Sequence, residues 1–144
     1  MNKKKIVWIF QTKPENYKNI ENLLIKKDSL YWTVMSKYKN IIEPGDLVYL
    51  SIAKGNINDS GIYAEGVVAE HSHEEHDTSD KYSTIVKIEK RLGSDYISKK
   101  NIQSDDILKN ISYVTFGQGS NFKIDNIDEI KRLNQLFIKA LKKD

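Results

Sequence analysis

The sequence contains two stretches whose residue types could do chemistry. The first is HSHEEHD, residues 71–77, which holds the only histidines of the 144-residue chain, His71, His73 and His76. Imidazole and carboxylate groups are good zinc ligands, and the spacing approximates the H-x-H-x-D-H pattern of binuclear metallohydrolases, with Glu75 in place of the aspartate. Such sites draw further ligands from distant strands, and this chain has no other histidine and no cysteine. We therefore expect an exposed acidic loop without a metal, with a catalytic metal or adventitious metal binding as the alternatives.

The second stretch is TFGQGSNFKI, residues 115–124. It matches neither the phosphate loop G-x-x-x-x-G-K-[ST] nor the dinucleotide fingerprint G-x-G-x-x-G. Its two glycines free the backbone to approach a flat ligand closely, and Gln118, Ser120 and Asn121 supply short hydrogen-bonding groups. We expect this stretch to form one rim of a pocket, and a plain turn before the last helix is the alternative.

Composition and charge narrow the classes of function. Without cysteine the chain has no disulfide, no thiolate metal site and no cysteine nucleophile. The net charge of +3 is mild, and clustered lysines serve solubility as readily as nucleic-acid binding. No apolar run approaches the ~20 residues of a membrane span, and no signal-peptide pattern opens the chain. An intracellular, cytoplasmic protein without a membrane partner is the expectation.

Strand and helix patterns alternate along the chain. Alternating β-branched and aromatic residues, with turn signals such as Pro44-Gly45, predict strands near residues 5–11, 46–53, 61–70, 82–91 and 112–116. Capping signals at Thr12 with Glu15 and at Asp125 predict helices over residues 13–26 and 126–142. Strands outnumber helices and hairpin spacings dominate. The class is therefore α+β, with a strongly bent, mostly antiparallel sheet or barrel flanked by helices.

The order of four segments carries a family resemblance. VWIFQTKPENY, YWTVMSKYKNIIEPGDLVYLSIAKG, SGIYAEGVV and FGQGSNFKI together resemble the EVE domain of the PUA-like superfamily, over nearly the whole chain. The resemblance implies one domain over residues 1–144, with a pocket that accepts a flipped-out base. EVE domains are associated with modified cytosines in DNA, and the related YTH domains with methylated adenine in RNA. No cofactor is implied, and an effector such as a nuclease would act in trans.

Candidate pocket residues follow from this comparison and from residue chemistry. Trp32 is suited to stack on a base because it stands in an irregular polar segment, although a core position is the alternative, whereas Trp8 reads as core. Tyr82, or a histidine before it, stands where YTH readers place a tryptophan, so the resemblance leaves open whether the aromatic cage is complete. Polar recognition would come from Gln11, Thr12, Ser36, Ser51, Gln118 and Ser120. Phosphate contacts would come from Lys13, Lys37, Lys39 and Lys54.

Three hypotheses about function remain open at this point. The first is a non-catalytic reader of methylated or hydroxymethylated cytosine in DNA, which takes the flipped base into an aromatic pocket. The second is a PUA-like module that binds a modified or unpaired base in RNA, where the 2′-hydroxyl would contribute. The third is an enzyme, either a metal-dependent hydrolase or one that acts on nucleotides.

Overall fold

The structure, a computed structural model, describes residues 5–15, 19–54, 59–74, 82–116 and 119–143. The strands in these ranges are β1 (Val7–Thr12), β2 (Ser29–Val34), β3 (Leu47–Ile52), β4 (Gly61–Val68), β5 (His73–Glu74), β6 (Tyr82–Arg91), β7 (Ile97–Ser98) and β8 (Asn121–Ile124). The α-helices are α1 (Ile20–Lys26), α2 (Lys99–Gln103), α3 (Ser112–Thr115) and α4 (Ile127–Leu141). Within the described part of the chain, no helix has the length and apolar character that crossing a membrane requires.

One sheet contains all of these strands. Its main path runs β2-β6-β4-β3-β1-β8, while β5 pairs with β6 and β7 pairs with β4. The pairing of β1 with β3 is parallel and the other pairings are antiparallel. The sheet curls until β1 and β2 face each other, since the rings of Phe10 and Trp32 lie 6.4 Å apart. The expected α+β class with a bent, mostly antiparallel pseudo-barrel is confirmed.

Alternation along the strands divides the interior into two cores. The barrel core lies inside the curl, is closed at one end by α1, and includes Trp8, Phe10, Leu24, Trp32, Leu50 and Val86. The helix-side core lies between the outer face of the sheet and helices α2 to α4, and includes Val7, Ile9, Tyr49, Tyr113, Phe122 and Phe137. The expectation that Trp8 is a core residue is confirmed, because its side chain is fully buried.

The hairpin expected over residues 46–70 is present as the antiparallel pair β3 and β4. Two glycines of β4 are required by close contact with neighbouring strands. A Cβ atom at Gly61 would lie 2.1 Å from the Ile97 carbonyl oxygen, and one at Gly66 would lie 2.3 Å from the Lys87 carbonyl oxygen. Any side chain at either position would force these strands apart.

Both predicted helices are real, but their starting points differ from the prediction. Helix α1 begins at Ile20, after a left-handed Asn19, and Pro14 and Glu15 lie in a preceding turn. The predicted capping box of Thr12 and Glu15 is therefore wrong. The cap of α4 is Asn126 and not Asp125, because the Asn126 side chain accepts hydrogen bonds from two backbone N–H groups of the first turn.

The strand prediction failed at residues 112–116, at β2 and at β8. Residues 112–116 form helix α3 and its C-cap, because Tyr113 packs into the helix-side core from a helical turn. Strand β2 was missed, although Leu30, Trp32 and Val34 alternate with exposed Ser29, Tyr31 and Thr33. Strand β8 was also missed, since its four residues follow the glycine stretch directly. At residues 112–116 local composition favoured a strand, and tertiary packing decided for a helix.

Candidate functional site

Gln11 lies near the carboxyl end of strand β1, where it contacts the glycine stretch. Its backbone N–H donates to the Ser120 carbonyl oxygen at 2.8 Å, and its side-chain Nε2 lies 3.4 Å from the Gly119 carbonyl oxygen. Gly119 has φ +130°, a backbone conformation that favours glycine. The other side-chain atom, Oε1, is buried and has no hydrogen-bond partner among the described residues.

The free atom of this carboxamide is an acceptor. Because Nε2 faces a carbonyl oxygen, which can only accept a hydrogen bond, the amide orientation that leaves Oε1 open is the one that the contacts favour. A buried acceptor without a partner costs about 1–3 kcal/mol of stability. Gly119 itself is exposed, so this acceptor lies close to the surface. The arrangement suits a ligand that brings an N–H donor to Gln11.

Asn121 connects the same segment to the end of β2. Its Oδ1 accepts a 2.7 Å hydrogen bond from the Met35 backbone N–H, and its Nδ2 donates to the Thr33 carbonyl oxygen at 3.0 Å. A Cβ atom at Gly119 would lie 3.7 Å from the Met35 sulfur. Asn121 thereby joins the two edges of the curled sheet. We call the group of Gln11, Met35, Gly119, Ser120 and Asn121 the glycine junction.

Trp32 lies in a different environment from the one predicted. It belongs to strand β2, its side chain is 2% exposed, and it packs in the barrel core beside Phe10. The expectation that it stands in an irregular segment is therefore wrong. Gln11 alternates with Phe10 along β1 and shares the opposite, helix-side face with Val7 and Ile9. The Trp32 ring and the Gln11 amide lie on opposite faces of the sheet, and the stacking role of Trp32 stays a prediction.

Four predicted residues gather at the end of β2, next to Met35. Ser36 and Lys37 lie in the exposed 3-10 turn Ser36–Tyr38. Lys39 donates from Nζ to the Tyr82 hydroxyl at 3.0 Å and lies 4.8 Å from the centre of that ring. Tyr82 is 9% exposed, at the margin of the barrel core. Chain continuity through Met35 places this group beside the glycine junction.

Ser51 is the partner of Gln11 on strand β3, but it is already engaged. Its side chain is fully buried, and its Oγ lies 2.7 Å from the Tyr113 hydroxyl. Burial raises the pKa of Tyr113 above its ordinary range, and burial lowers the pKa of Lys99, whose Nζ lies 4.6 Å from the Tyr113 ring centre. Sequence reasoning missed Tyr113 because its contact with Ser51 spans 62 residues of chain. It also missed Lys99, which lies beside the Tyr113 ring.

The remaining predicted residues are dispersed. Thr12 accepts a backbone hydrogen bond from Ala53 at 2.8 Å, and exposed Lys13 follows it. Lys54 forms an ion pair with Glu21 on α1, and its Nζ lies 5.2 Å from the centre of the Tyr63 ring. Gln118 lies outside the described residues.

The histidine stretch is only partly described. His71 is exposed, as expected, His73 belongs to the short strand β5, and His76 lies outside the described residues. Among the described residues, no group of three histidine or acidic side chains could hold a metal ion. The absence of a bound metal in the native protein stays a prediction.

No family model matches this sequence, and no curated protein does. Solved structures do match the fold. Human THYN1 in complex with 5-methylcytosine-containing DNA is 14% identical, with a TM-score of 0.72 over 92% of this chain and 97% of that one. A Pseudomonas syringae protein is 10% identical, with a TM-score of 0.71 over 90% of this chain and 98% of that one.

A third solved structure extends the comparison to RNA. The YTH domain of a Zygosaccharomyces rouxii protein, in complex with N6-methyladenosine RNA, is 12% identical, with a TM-score of 0.53 over 91% of this chain and 86% of that one. The chain has the EVE/PUA-like fold. The resemblance that the sequence indicated is thereby confirmed at the level of the fold, and in this EVE-like fold the glycine junction joins strands β1, β2 and β8.

Proposed function

We propose that this EVE-like protein binds nucleic acid and takes one modified, flipped-out base to the glycine junction. The proposal describes a binding module without catalysis of its own. An effector such as a nuclease would act in trans, in the cytoplasm. The observation that carries the proposal is the buried Gln11 Oε1, which lacks a partner among the described residues.

The chemistry of this acceptor selects a class of base. Cytosine presents an N4 amino group and adenine an N6 amino group, and both donate hydrogen bonds. Human THYN1 is solved with 5-methylcytosine DNA, and the yeast YTH domain with N6-methyladenosine RNA. Both of these modified bases keep at least one exocyclic N–H. A base of this class would satisfy Gln11, and the stability that the unpartnered oxygen costs would then be recovered as affinity.

The surroundings of the junction supply the other contacts that such a base needs. Ser36 and Ser120 can bond a base edge, as can Gln118. Lys37 and Lys39 stand beside Met35 and can neutralise phosphates, as can Lys13 after β1. Stacking would come from Tyr82, which lies at the margin of the barrel core beside the end of β2.

Methylated or hydroxymethylated cytosine in DNA is the first candidate, because the likeness to the human DNA complex is the stronger of the two by TM-score. A modified base in RNA is the second candidate, and the likeness to the YTH domain supports it. Gln11 accepts from either base, so its chemistry does not separate them. A direct comparison of the two candidates must therefore use the same base sequence with and without the 2′-hydroxyl of RNA.

A panel of labelled oligonucleotides tests the proposal. We would measure dissociation constants by fluorescence anisotropy for cytosine, 5-methylcytosine and 5-hydroxymethylcytosine in DNA, and for adenosine and N6-methyladenosine in RNA and in the same DNA sequence. The protein should prefer one modified strand over its unmodified counterpart at two salt concentrations. Equal affinity for every modified and unmodified pair would refute modified-base reading.

A matched pair of variants locates the site. Gln11→Met should weaken binding of the preferred strand about tenfold or more, since a hydrogen-bonding group left without its partner costs about 1–3 kcal/mol. Gln103→Met makes the same replacement on the exposed face of α2 and should leave the affinity unchanged. Weaker binding in both variants, or in neither, would place the base elsewhere.

A further inference from the structure

A cavity of about 290 Å³ lies beside helix α1, away from the glycine junction. Its walls come from α1, from the residues after β3 and β6, and from the start of β4. We call it the tyrosine groove, and its principal lining residues are Glu21, Ile25, Lys54, Tyr63, Arg91 and Tyr96. The volume lies at the lower end of the range of about 300–1,000 Å³ for small-molecule sites. A single nucleotide fits this size better than a larger cofactor does.

Two tyrosines stack face to face in the groove, and Tyr63 lies between Tyr96 and the Nζ of Lys54, which is 5.2 Å from the Tyr63 ring centre. The rings of Tyr63 and Tyr96 are nearly parallel, with an angle of 7° between their planes and 4.5 Å between their centres. The Tyr63 hydroxyl donates to the Asp59 carbonyl oxygen at 2.8 Å, which fixes the ring. Every nucleobase has a flat aromatic face, so a tyrosine ring stacks with bases of any sequence.

The charges that line the groove favour an anion. Lys54 and Arg91 are cations, and Glu21 is the one carboxylate among the residues that line it. Arg91 is held in place because its Nε donates to the Leu24 carbonyl oxygen at 2.6 Å. Glu21 forms an ion pair with Lys54, and half of the Glu21 side chain is exposed. An exposed ion pair of this kind is weak, so a phosphate oxygen can replace the Glu21 carboxylate on Lys54.

The position of Lys54 connects the groove to the glycine junction. Gln11 pairs with Ser51 across the parallel strands, and Lys54 follows Ser51 by three residues. With about 3.3 Å per residue along a strand and about 4.8 Å between strands, the two backbones lie within about 15 Å of each other. The Ser60 hydroxyl holds Lys54 there, since it accepts from the Lys54 backbone N–H at 2.7 Å. A strand with one base at Gln11 can reach the groove with a nucleotide close by.

We infer that the tyrosine groove is a second nucleotide subsite, which holds an unpaired nucleotide close to the flipped base on the same strand. The base stacks on the side of Tyr96 that points away from Tyr63, and the phosphate takes the place of Glu21 on Lys54. This inference rests on the proposed function, since it needs a strand bound at the glycine junction. The groove does not choose the modified base, and it adds affinity that is independent of sequence.

Abasic scanning tests the subsite. The probes are single-stranded oligonucleotides with one central modified base, 5-methylcytosine in DNA or N6-methyladenosine in RNA, and with each neighbouring base removed in turn. In the wild type, one abasic position should weaken binding about tenfold. Tyr96→Ala should weaken binding of the intact strand by the same factor and should abolish the penalty at that position. Tyr96→Phe keeps the ring and should behave as the wild type.

The Glu21 ion pair gives a second, opposite test. Glu21→Gln should raise the affinity for the intact strand severalfold, because Lys54 no longer has a competing carboxylate. Asp106→Asn removes the same charge from a fully solvated side chain and should have a smaller effect. Thermal melting of each variant would establish that it is folded before binding is measured.

The outcomes separate this inference from the proposed function. Equal affinity for modified and unmodified strands refutes the proposed function, while the abasic penalty and its loss in Tyr96→Ala report on the groove alone. The subsite is refuted if no abasic position matters, or if Tyr96→Ala and the abasic change weaken binding additively. It is also refuted if free adenosine monophosphate binds the groove as tightly as the strand does, since the groove would then be a small-molecule site.

Discussion

The two cores of this protein differ in the polar groups that they bury. In the barrel core, the Trp8 indole Nε1 donates to the Asp46 carboxylate at 3.0 Å, and the Thr84 hydroxyl donates to the Glu70 carbonyl oxygen at 2.7 Å. The strands facing the helix-side core bury three polar side chains, Gln11, Ser51 and Glu65. One core is apolar with its few polar atoms bonded, and the other is lined by these three polar side chains on the adjacent strands β1, β3 and β4, which we call the polar row.

This difference separates stability from binding. Buried polar groups that are fully bonded contribute specificity to a fold, while an unbonded group costs stability and persists where a ligand uses it. The Ser51 hydroxyl is hydrogen-bonded to the Tyr113 hydroxyl, and Glu65 Oε1 lies 3.9 Å from the Lys90 Nζ. The Gln11 Oε1 has no hydrogen-bond partner among the described residues. We therefore expect changes in the barrel core to affect folding, and changes at the Gln11 end of the polar row to affect binding.

Truncation of Trp32 is the change with the largest expected effect. Because this side chain is 2% exposed in the barrel core, Trp32→Ala should lower the free energy of unfolding by about 3–5 kcal/mol. Tyr31→Ala, at the neighbouring and 66% exposed position, should change it by less than about 0.5 kcal/mol. Urea denaturation monitored by circular dichroism measures both.

The same pair of variants can disprove the assignment of folding to the barrel core and of binding to the Gln11 end of the polar row. If Trp32→Ala keeps the stability of the wild type and loses the preference for a modified base, then Trp32 lines a ligand pocket. The barrel core would then be the binding side of the molecule. Trp32→Phe adds a control, since it keeps an aromatic ring in the core and should destabilise less than the alanine variant.

The stability of the Ser51 and Tyr113 pair should depend on both partners. Tyr113→Phe leaves the buried Ser51 hydroxyl without its partner at 2.7 Å, and should cost about 1–2 kcal/mol. Ser51→Ala in the same background should add little, because no polar group is then left unbonded. A double-mutant cycle by urea denaturation measures this coupling. Additive losses would show that the two hydroxyls do not depend on each other.

The sequence predicted the fold through signals that are local. Strand β1 and helix α4 have strong periodicity, and the Pro44-Gly45 turn marks the start of β3. Strand β2 was missed because its alternation begins at Ser29, and the YWTV segment by itself shows no clear period. The parallel pairing of β1 with β3 has no local signal at all, since strand order is a property of the whole sheet.

The candidate site was predictable only in part. Gln11, Ser36 and Ser120 were predicted as pocket residues, and the structure places them around Met35 and the end of β2, while their role in binding stays a prediction. For Trp32, the sequence did not predict that the side chain points into the barrel core, because this depends on which face of the curled sheet is inside. The Tyr113 contact of Ser51 was likewise invisible, since it joins residues distant along the chain.

Glu65 should give the polar row a pH dependence of stability. Burial raises the pKa of the Glu65 carboxyl above its ordinary value of 4.5, and Glu89 adds to this, while Lys90 and the Tyr49 hydroxyl oppose it. A raised pKa in the folded state means that this contribution to stability is present below pH 4.5 and is lost as the pH rises through the folded pKa. Glu65→Gln should remove this loss, so that stability falls less from pH 4.5 to neutral pH.

Denaturation at several pH values measures that slope. Glu15→Gln, at an exposed position before α1, is the control and should keep the slope of the wild type. A steeper loss of stability in Glu65→Gln on raising the pH would mean that the ion pair with Lys90 outweighs burial, and that the polar row is fully compensated.

The smallest change in stability is expected at Gln11, where the change in binding is expected to be large. Gln11→Met keeps the length of the side chain, removes the unpartnered oxygen, and gives up one long contact of 3.4 Å to the Gly119 carbonyl. Removal of an unbonded buried acceptor is neutral or stabilising, so the free energy of unfolding should stay within about 0.5 kcal/mol of the wild type or rise. The same variant should bind the preferred strand about tenfold more weakly. A loss of stability as large as that of Tyr113→Phe would show that Oε1 is bonded in the folded protein, and the acceptor at the glycine junction would then belong to the fold and not to a ligand.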